Sequence, residues 1–126
     1  MPAPGRKNCK KTAQAAARAL DIDENAVLVA STGVIGQQLP VDKICDGVEA
    51  LAPLLSDSRE AGTMAAQAIM TTDTVKKECA VELTLGGKTV VIGGMCKGSG
   101  MIHPNMCTML SFITTDAAIS KELLQK

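Results

Sequence analysis

The spacing of apolar and polar residues predicts a helix, a strand and a second helix in the first half of the chain. Residues 8–20 carry small apolar side chains at helical spacing. Residues 26–31 form a short, continuous apolar run, which is typical of a buried strand. Residues 41–55 return to helical spacing, and Pro53 is expected to kink or end that helix. The apolar stripe of the first helix consists of Ala13, Ala16, Ala17 and Leu20.

The second half begins with a helix followed by a β-hairpin. Residues 57–70 are predicted to be helical, because an aspartate at the start and a glutamate three residues later can act as a capping pair. Apolar and polar residues then alternate over 81–85, which indicates a half-buried strand. Gly86-Gly87 is a hairpin turn signal, so residues 88–92 are expected to form the partner strand.

A strand at 109–114 and a helix at 117–125, capped by Asp116, complete the predicted pattern. Helices mixed with antiparallel strands predict an α/β fold of the layered α+β type. The length of the chain predicts a single domain over residues 1–126.

The stretch between the last two strands contains the most unusual chemistry of the chain. It leads from a lysine next to glycine through Pro104-Asn105, a turn signal, to Thr108 at the start of a strand. A threonine hydroxyl is a poor nucleophile without a neighbouring base. Cutting the chain just before the threonine supplies one, because the new α-amino group can take the proton. From the residues alone, a structural role for Thr108 is the commoner case, since β-branched residues favour strands.

Composition excludes several classes of function. Thirteen basic residues balance thirteen acidic ones, and Phe112 is the only aromatic residue, so nucleic-acid binding is not expected. No apolar run reaches about 20 residues, so no membrane span is expected. The amino-terminal residues lack an apolar signal region. The chain is therefore not expected to bind nucleic acid or to span a membrane.

The cysteines and the single histidine predict neither a disulfide framework nor a metal site. Five cysteines are an odd number, and none of them forms a CxxC pair. His103 is the only histidine, so a zinc site is not expected from these residues. The cysteines are therefore expected to be reduced and mostly buried thiols, and His103 a loop residue.

Residues 97–116, KGSGMIHPNMCTMLSFITTD, closely resemble the self-cleavage segment of the ornithine acetyltransferase family, the bifunctional glutamate N-acetyltransferases of arginine biosynthesis. The resemblance continues upstream in residues 26–40 and 65–74. Cys107 departs from the alanine that the family usually has before its nucleophile. Family members are also considerably longer. The resemblance therefore implies an internal fragment, with an incomplete DmpA/ArgJ-like sandwich of helices and mixed or antiparallel strands.

The resemblance implies that Thr108 attacks the carbonyl of Cys107, and that the resulting ester is hydrolysed to release two chains. Residues 1–107 would then correspond to the α-chain part, and residues 108–126 to the start of the β-chain part. The freed amine of Thr108 would serve as general base. Its hydroxyl would take the acetyl group from N2-acetylornithine and pass it to glutamate through an acetyl-Thr108 intermediate.

The family pattern also implies roles for four further residues. Thr32 and Gly33 match the pair that stabilises the oxyanion, although a plain strand-to-loop turn is the commoner reading of Thr-Gly. Thr71 and Lys97 match substrate-binding residues, although a helix end and a solvated lysine would be their ordinary roles. A phosphate-binding loop does not fit Lys97, because the lysine of that motif follows its glycine.

No metal and no cofactor are implied, and acetyl-CoA is an acetyl donor only in bifunctional members. The complete enzyme is expected to form an α₂β₂ assembly, whereas this chain alone should show little or no activity. Two alternatives stay open. One is an amide hydrolase with an amino-terminal threonine nucleophile, and the other is an inactive remnant that only associates with other chains.

Overall fold

The computed structural model describes residues 4–34, 36–98 and 109–126. Contacts within the chain separate it into two compact units, Met1–Asp57 and Ser58–Lys126, which are described in turn. The single partial domain expected over 1–126, with its division between 107 and 108, stays a prediction.

The first unit contains two helices, as the apolar spacing predicted. Helix α1 covers Pro4–Leu20 and helix α2 covers Val41–Leu51. A short 3-10 helix at Ala52–Leu54 follows α2 and has its proline in the first turn, where a missing N–H is tolerated. Pro53 thus ends the regular helix, as expected.

Small side chains form the contact between α1 and α2. The buried residues of α1 are Ala13, Ala15 and Ala17. Val41 is the buried residue of α2. Leu20, which the predicted stripe included, is 41% exposed. Alanines let two helices approach closely but bury little apolar area, so the hydrophobic stabilisation of this contact is modest.

The strand predicted at 26–31 is wrong. Ala26 ends a 3-10 helix, Glu24–Ala26, and the Asp23 carboxylate caps that helix by accepting the N–H of Asn25 at 2.7 Å. Residues 27–34 then run on without regular secondary structure. Leu28 is 96% exposed. A buried strand needs a neighbouring strand for its backbone hydrogen bonds, and the described part of this unit offers none.

The second unit is a three-stranded antiparallel sheet with two helices. Helix α3 covers Arg59–Ala68, and strands β1, β2 and β3 cover Lys77–Leu85, Lys88–Lys97 and Leu110–Thr115. The strand order is β1-β2-β3. A short helix α4, Lys121–Leu124, ends the unit. The predicted mixture of helices and antiparallel strands is confirmed, and each strand of the hairpin is longer than predicted.

The predicted hairpin turn is confirmed in detail. Gly86 and Gly87 have φ values of 57° and 78°, and the flanking Leu85 and Lys88 form the last pair of the β1–β2 ladder. Two consecutive residues with positive φ are the signature of a type I′ turn, whose twist matches that of the strands.

Serines, not the predicted aspartates, cap helices α3 and α4. The Ser58 hydroxyl oxygen accepts the N–H of Ala61 at 3.2 Å, and that of Ser120 accepts the N–H of Leu123 at 3.3 Å. The last helix is therefore much shorter than 117–125. Asp116 instead accepts the N–H of Val91 at 2.8 Å, because β3 ends there and leaves this donor of β2 without a strand partner.

The two faces of the sheet differ in what covers them. Helix α3 contacts one face, where the Thr63 hydroxyl donates to the Glu78 carboxylate at 2.9 Å. The alternation of side chains along a strand places Val81 and Leu85 on the other face. Their exposed fractions are 55% and 53%, whereas Leu83 on the same face is partly buried, so the predicted half-burial of this strand is reached only in part within this unit.

The turn offers a direct test of the hairpin. Replacing Gly86 by valine should destabilise the second unit by about 1–2 kcal/mol, because a β-branched residue is strained at positive φ. Gly86→Asn should cost far less, since asparagine tolerates this conformation. Urea unfolding followed by circular dichroism measures both.

The control is Gly62→Ala in helix α3, where an added Cβ meets nothing within 4 Å. It should stabilise the unit by roughly 0.5–1 kcal/mol, because glycine is a poor residue inside a helix. Equal losses for Gly86→Val and Gly86→Asn would contradict the turn assignment.

Candidate active site

The carboxyl end of β2 carries one of the predicted site residues, Lys97. It is the last residue of the strand and pairs with Leu110 at the start of β3. Its exposed fraction is 7%. Gly98 follows with a φ of 113°, a conformation that favours glycine, so the chain turns away from the sheet immediately after Lys97.

The Asp73 carboxylate joins three neighbouring segments at this end of the sheet. Oδ1 accepts the N–H of Gly98 at 3.0 Å, and Oδ2 accepts the N–H of Thr71 at 3.4 Å. The ammonium group of Lys77, the first residue of β1, forms an ion pair with Oδ1. Only 1% of the Asp73 side chain is exposed. One buried carboxylate thus holds Thr71 and the residue after Lys97 beside each other.

Local chemistry explains how the chain reaches this arrangement. Helix α3 ends at Ala68, and a short connection leads to β1. Aspartate in such a connection readily accepts backbone N–H groups nearby, as Asp73 does from Thr71. The pairing of Lys77 with Cys96 then places the start of β1 against the last residues of β2. This register brings Asp73 within reach of Gly98.

The surroundings of Asp73 favour its charged form. The hydrogen bond from Lys77, assisted by the N–H groups of Gly98 and Thr71, lowers the pKa of Asp73 to about 2 although burial opposes the shift. The carboxylate is therefore ionised at neutral pH.

Lys97 presents a cation that the described part of the chain does not neutralise. No hydrogen bond or ion pair joins its side chain to residues 4–34, 36–98 or 109–126. No buried side-chain nitrogen in this part lacks a hydrogen-bond partner, so the ammonium group keeps contact with solvent. A largely buried stem with an accessible ammonium group can hold a substrate carboxylate.

Thr32 and Gly33 lie in the first unit, in the irregular run before α2, and both are exposed. Within the described residues their backbone N–H groups donate to no other group. A Cβ added to Gly33 would come within 3.2 Å of Leu39 Cδ2, so the backbone there approaches its neighbour closely. Two free N–H groups on an exposed loop can stabilise a developing negative charge.

Some of the predicted site residues are brought together and others are not described. Asp73 links Thr71 to the Lys97-Gly98 end of β2, whereas Thr32 and Gly33 belong to the first unit. Cys107, Thr108 and His103 lie outside the described residues. No role for Asp73 in the site was predicted from the sequence. The sequence pattern that could have indicated it is an aspartate after a helix with a lysine four residues later, at position 77.

A second feature of this unit is a cavity of about 470 Å³ between α3 and the sheet. Its apolar floor is formed by Gly93, Gly94, Met95 and Phe112. Glu78 lies at its wall, where the Lys76 ammonium and then the Thr63 hydroxyl lower the pKa of its carboxyl. This carboxylate is thus bound within the fold and is not arranged as a proton acceptor for a substrate.

The described cysteines are more exposed than predicted. Cys9 and Cys79 are exposed and Cys45 and Cys96 are half-buried, all as free thiols, so the expectation of mostly buried thiols is wrong. Cys79 lies on β1, on the face of the sheet that α3 does not contact.

The described residues bring no three candidate metal ligands together. Among these residues, no helix has the length and apolar character to cross a membrane.

The fold and the residues at the end of β2 together indicate the class of this protein. Helices combined with a three-stranded antiparallel sheet form a partial α/β fold, whose strand end presents a lysine and a buried aspartate. Residues 2–126 match the model of the ArgJ family. The chain therefore belongs to the ArgJ family, which confirms the resemblance found in the sequence.

Similar proteins agree with this assignment. The arginine biosynthesis bifunctional protein ArgJ of Synechococcus is 54% identical over 123 residues, and that of Bacillus subtilis is 50% identical over 122 residues. Each match covers 97% of this chain but 29% of the relative. The crystal structure of the arginine biosynthesis bifunctional protein ArgJ from Bacillus halodurans matches with a TM-score of 0.70 and 40% identity, covering 84% of this chain and 55% of that one. The chain thus spans less than a third of the length of these curated relatives.

The low pKa of Asp73 predicts how stability changes with pH. Because the pKa is depressed on folding, the carboxylate contributes its full stabilisation above the ordinary value of 3.8 and loses it as the pH falls toward about 2. The difference in urea midpoint between the wild-type chain and Asp73→Asn should be largest near pH 7 and shrink below pH 3.8. A difference that is constant over this range would contradict the ionised contact.

Proposed function

We propose that this chain is part of an enzyme that transfers acetyl from N2-acetylornithine to glutamate, an ornithine acetyltransferase or glutamate N-acetyltransferase of arginine biosynthesis. Membership of the ArgJ family and the names of its relatives support this activity. The observation that carries it is the position of Lys97 at the strand end, with its accessible ammonium group, next to the segment that contains Thr108.

Only a short length of chain separates the proposed nucleophile from the strand partner of Lys97. Lys97 and Leu110 are directly paired strand residues. Thr108 precedes Leu110 by two residues in the sequence, and two residues of chain span at most about 7 Å. A substrate carboxylate held by Lys97 would therefore be bound near the threonine hydroxyl.

Self-cleavage would create the active nucleophile. Thr108 Oγ attacks the carbonyl carbon of Cys107, the C–N bond breaks, and an ester replaces the amide. Water then hydrolyses the ester, leaving a carboxylate on Cys107 and a free α-amino group on Thr108. The solved relative supports cleavage: this chain covers 55% of the solved chain but only 29% of the curated relatives, so the solved chain is roughly half as long as they are.

Acetyl transfer would then proceed in two steps. Thr108 Oγ attacks the acetyl carbonyl of N2-acetylornithine, its proton passes to the α-amino group, and ornithine leaves. The amine of glutamate next attacks the acetyl-Thr108 ester and regenerates the hydroxyl. The N–H groups of Thr32 and Gly33 would stabilise the oxyanion of both tetrahedral intermediates, and loss of one such donor typically costs about 10²–10³ in rate. Lys97 and Thr71 would bind the substrates.

The donor range and assembly are part of the same proposal. The relatives are named bifunctional, which supports acetyl-CoA as a second acetyl donor. The chemistry above uses no metal or prosthetic group. Because the chain spans less than a third of its relatives, the complete enzyme would supply further substrate contacts. We expect that enzyme to be cytoplasmic and to assemble as α₂β₂.

The cleavage step can be tested on this chain by intact mass. The wild-type protein should split between Cys107 and Thr108, whereas Thr108→Ala should stay whole because it lacks the hydroxyl. Cys107→Ala should split faster, since it removes the sulfur beside the bond. Persistence of the intact mass in both the wild-type protein and Cys107→Ala would contradict self-cleavage by this chain.

Acetyl transfer should require the parts of the complete enzyme that this chain does not include. Incubated with N2-acetylornithine and glutamate, the isolated 126-residue protein should release little or no ornithine, as measured by amino-acid chromatography. Full turnover would contradict this expectation. Ornithine release that needs no glutamate and exceeds one equivalent per protein molecule would instead identify an amide hydrolase, in which water accepts the acetyl group.

A further inference from the structure

We propose that Asp73 is a positioning residue, whose buried carboxylate sets how the chain leaves β2 at Lys97-Gly98 and enters the segment that contains Thr108. This inference rests on the proposed function, because the segment matters only if Thr108 is the nucleophile. Asp73 itself is not proposed to touch substrate.

The contacts of Asp73 come from three separate places in the unit. They are the N–H of Thr71 in the connection after α3, the ammonium of Lys77 on β1 and the N–H of Gly98 after β2. Gly98 lies 25 residues further along the chain. A carboxylate with this set of donors fixes the relative positions of all three segments.

The N–H of Gly98 depends on this acceptor. The β2–β3 ladder ends at the pair of Lys97 and Leu110, so no strand partner continues beyond it. Gly98 is buried, and a buried N–H without an acceptor is costly. With φ at 113°, the hydrogen bond to Asp73 also selects the direction in which the chain turns.

The ion pair with Lys77 keeps the Asp73 carboxylate from pairing with Lys97, the proposed substrate-binding cation. Lys77 is paired with Cys96, so its side chain leaves the sheet on the face opposite to that of Lys97. Asp73 is neutralised by Lys77 on one face, whereas the ammonium group of Lys97, on the other face, forms no ion pair with any described residue. Asp73 therefore anchors the end of β2 without forming an ion pair with Lys97.

The experiment compares Asp73→Ala with a matched control, Asp116→Ala. Asp116 also accepts a backbone N–H of β2, that of Val91, but just beyond the opposite end of the β2–β3 ladder. Two readouts are measured for both variants. One is amide hydrogen exchange at Gly98 and Val91 by NMR, and the other is the rate of cleavage between Cys107 and Thr108 by intact mass, in the Cys107→Ala background.

Asp73→Ala should raise the exchange rate at Gly98 by about tenfold or more, because both acceptor oxygens are removed. It should also slow cleavage by at least about tenfold, since a small displacement of reacting groups has a large effect on rate. Asp116→Ala should raise the exchange rate at Val91 and leave both the exchange rate at Gly98 and the cleavage rate within about twofold. Asp73→Glu, which keeps the charge, should restore part of the cleavage rate.

Unchanged exchange at Gly98 in Asp73→Ala would overturn the proposal. So would cleavage at the wild-type rate in that variant, or an equal rise in exchange at Gly98 and Val91, which would indicate general destabilisation. Failure of the proposed function gives a different pattern. Cys107→Ala would then not cleave at all, while exchange at Gly98 would still show whether Asp73 anchors the strand end.

Discussion

The arrangement at the carboxyl end of β2 depends on one buried carboxylate. Asp73 accepts N–H groups from Thr71 and Gly98 and pairs with the ammonium group of Lys77. Burial alone would penalise its charge, but the three donors together outweigh that cost, and the pKa falls to about 2. The same contacts hold two predicted substrate-binding positions, Thr71 and Lys97, at one end of the sheet. The charged Asp73 carboxylate therefore supports both the fold of this end of the sheet and the proposed substrate-binding positions.

Hydrophobic packing contributes less than usual in the described part of the chain. No large side chain there is fully buried, and the buried apolar residues are mostly alanine and valine. Leu28 and Ile113 are instead 96% and 75% exposed. These open apolar positions agree with a chain that spans less than a third of its curated relatives. Within the two units, local hydrogen bonds and the β ladder are correspondingly important.

Predictions that depend on neighbouring residues in the sequence were correct more often than those that depend on distant segments. The turn at Gly86-Gly87 was predicted correctly because positive φ is a property of the residues themselves. The strand at 26–31 was wrong because an apolar run requires a partner strand, which no local pattern supplies. Asp116 was predicted to cap a helix and instead satisfies Val91, since the end of β3 leaves that donor free.

The residue pattern alone was sufficient to indicate the family, the helices of the first unit, the hairpin and the candidate residues from Thr32 to Thr108. These features depend on short-range conformational preferences or on a contiguous motif. Only the folded chain showed that Lys97 is buried and that Asp73 reaches Gly98, 25 residues away. That contact requires the register of β1 on β2, which places Lys77 opposite Cys96. Long-range register depends on the packing of the whole sheet, and so no single segment of the sequence could specify it.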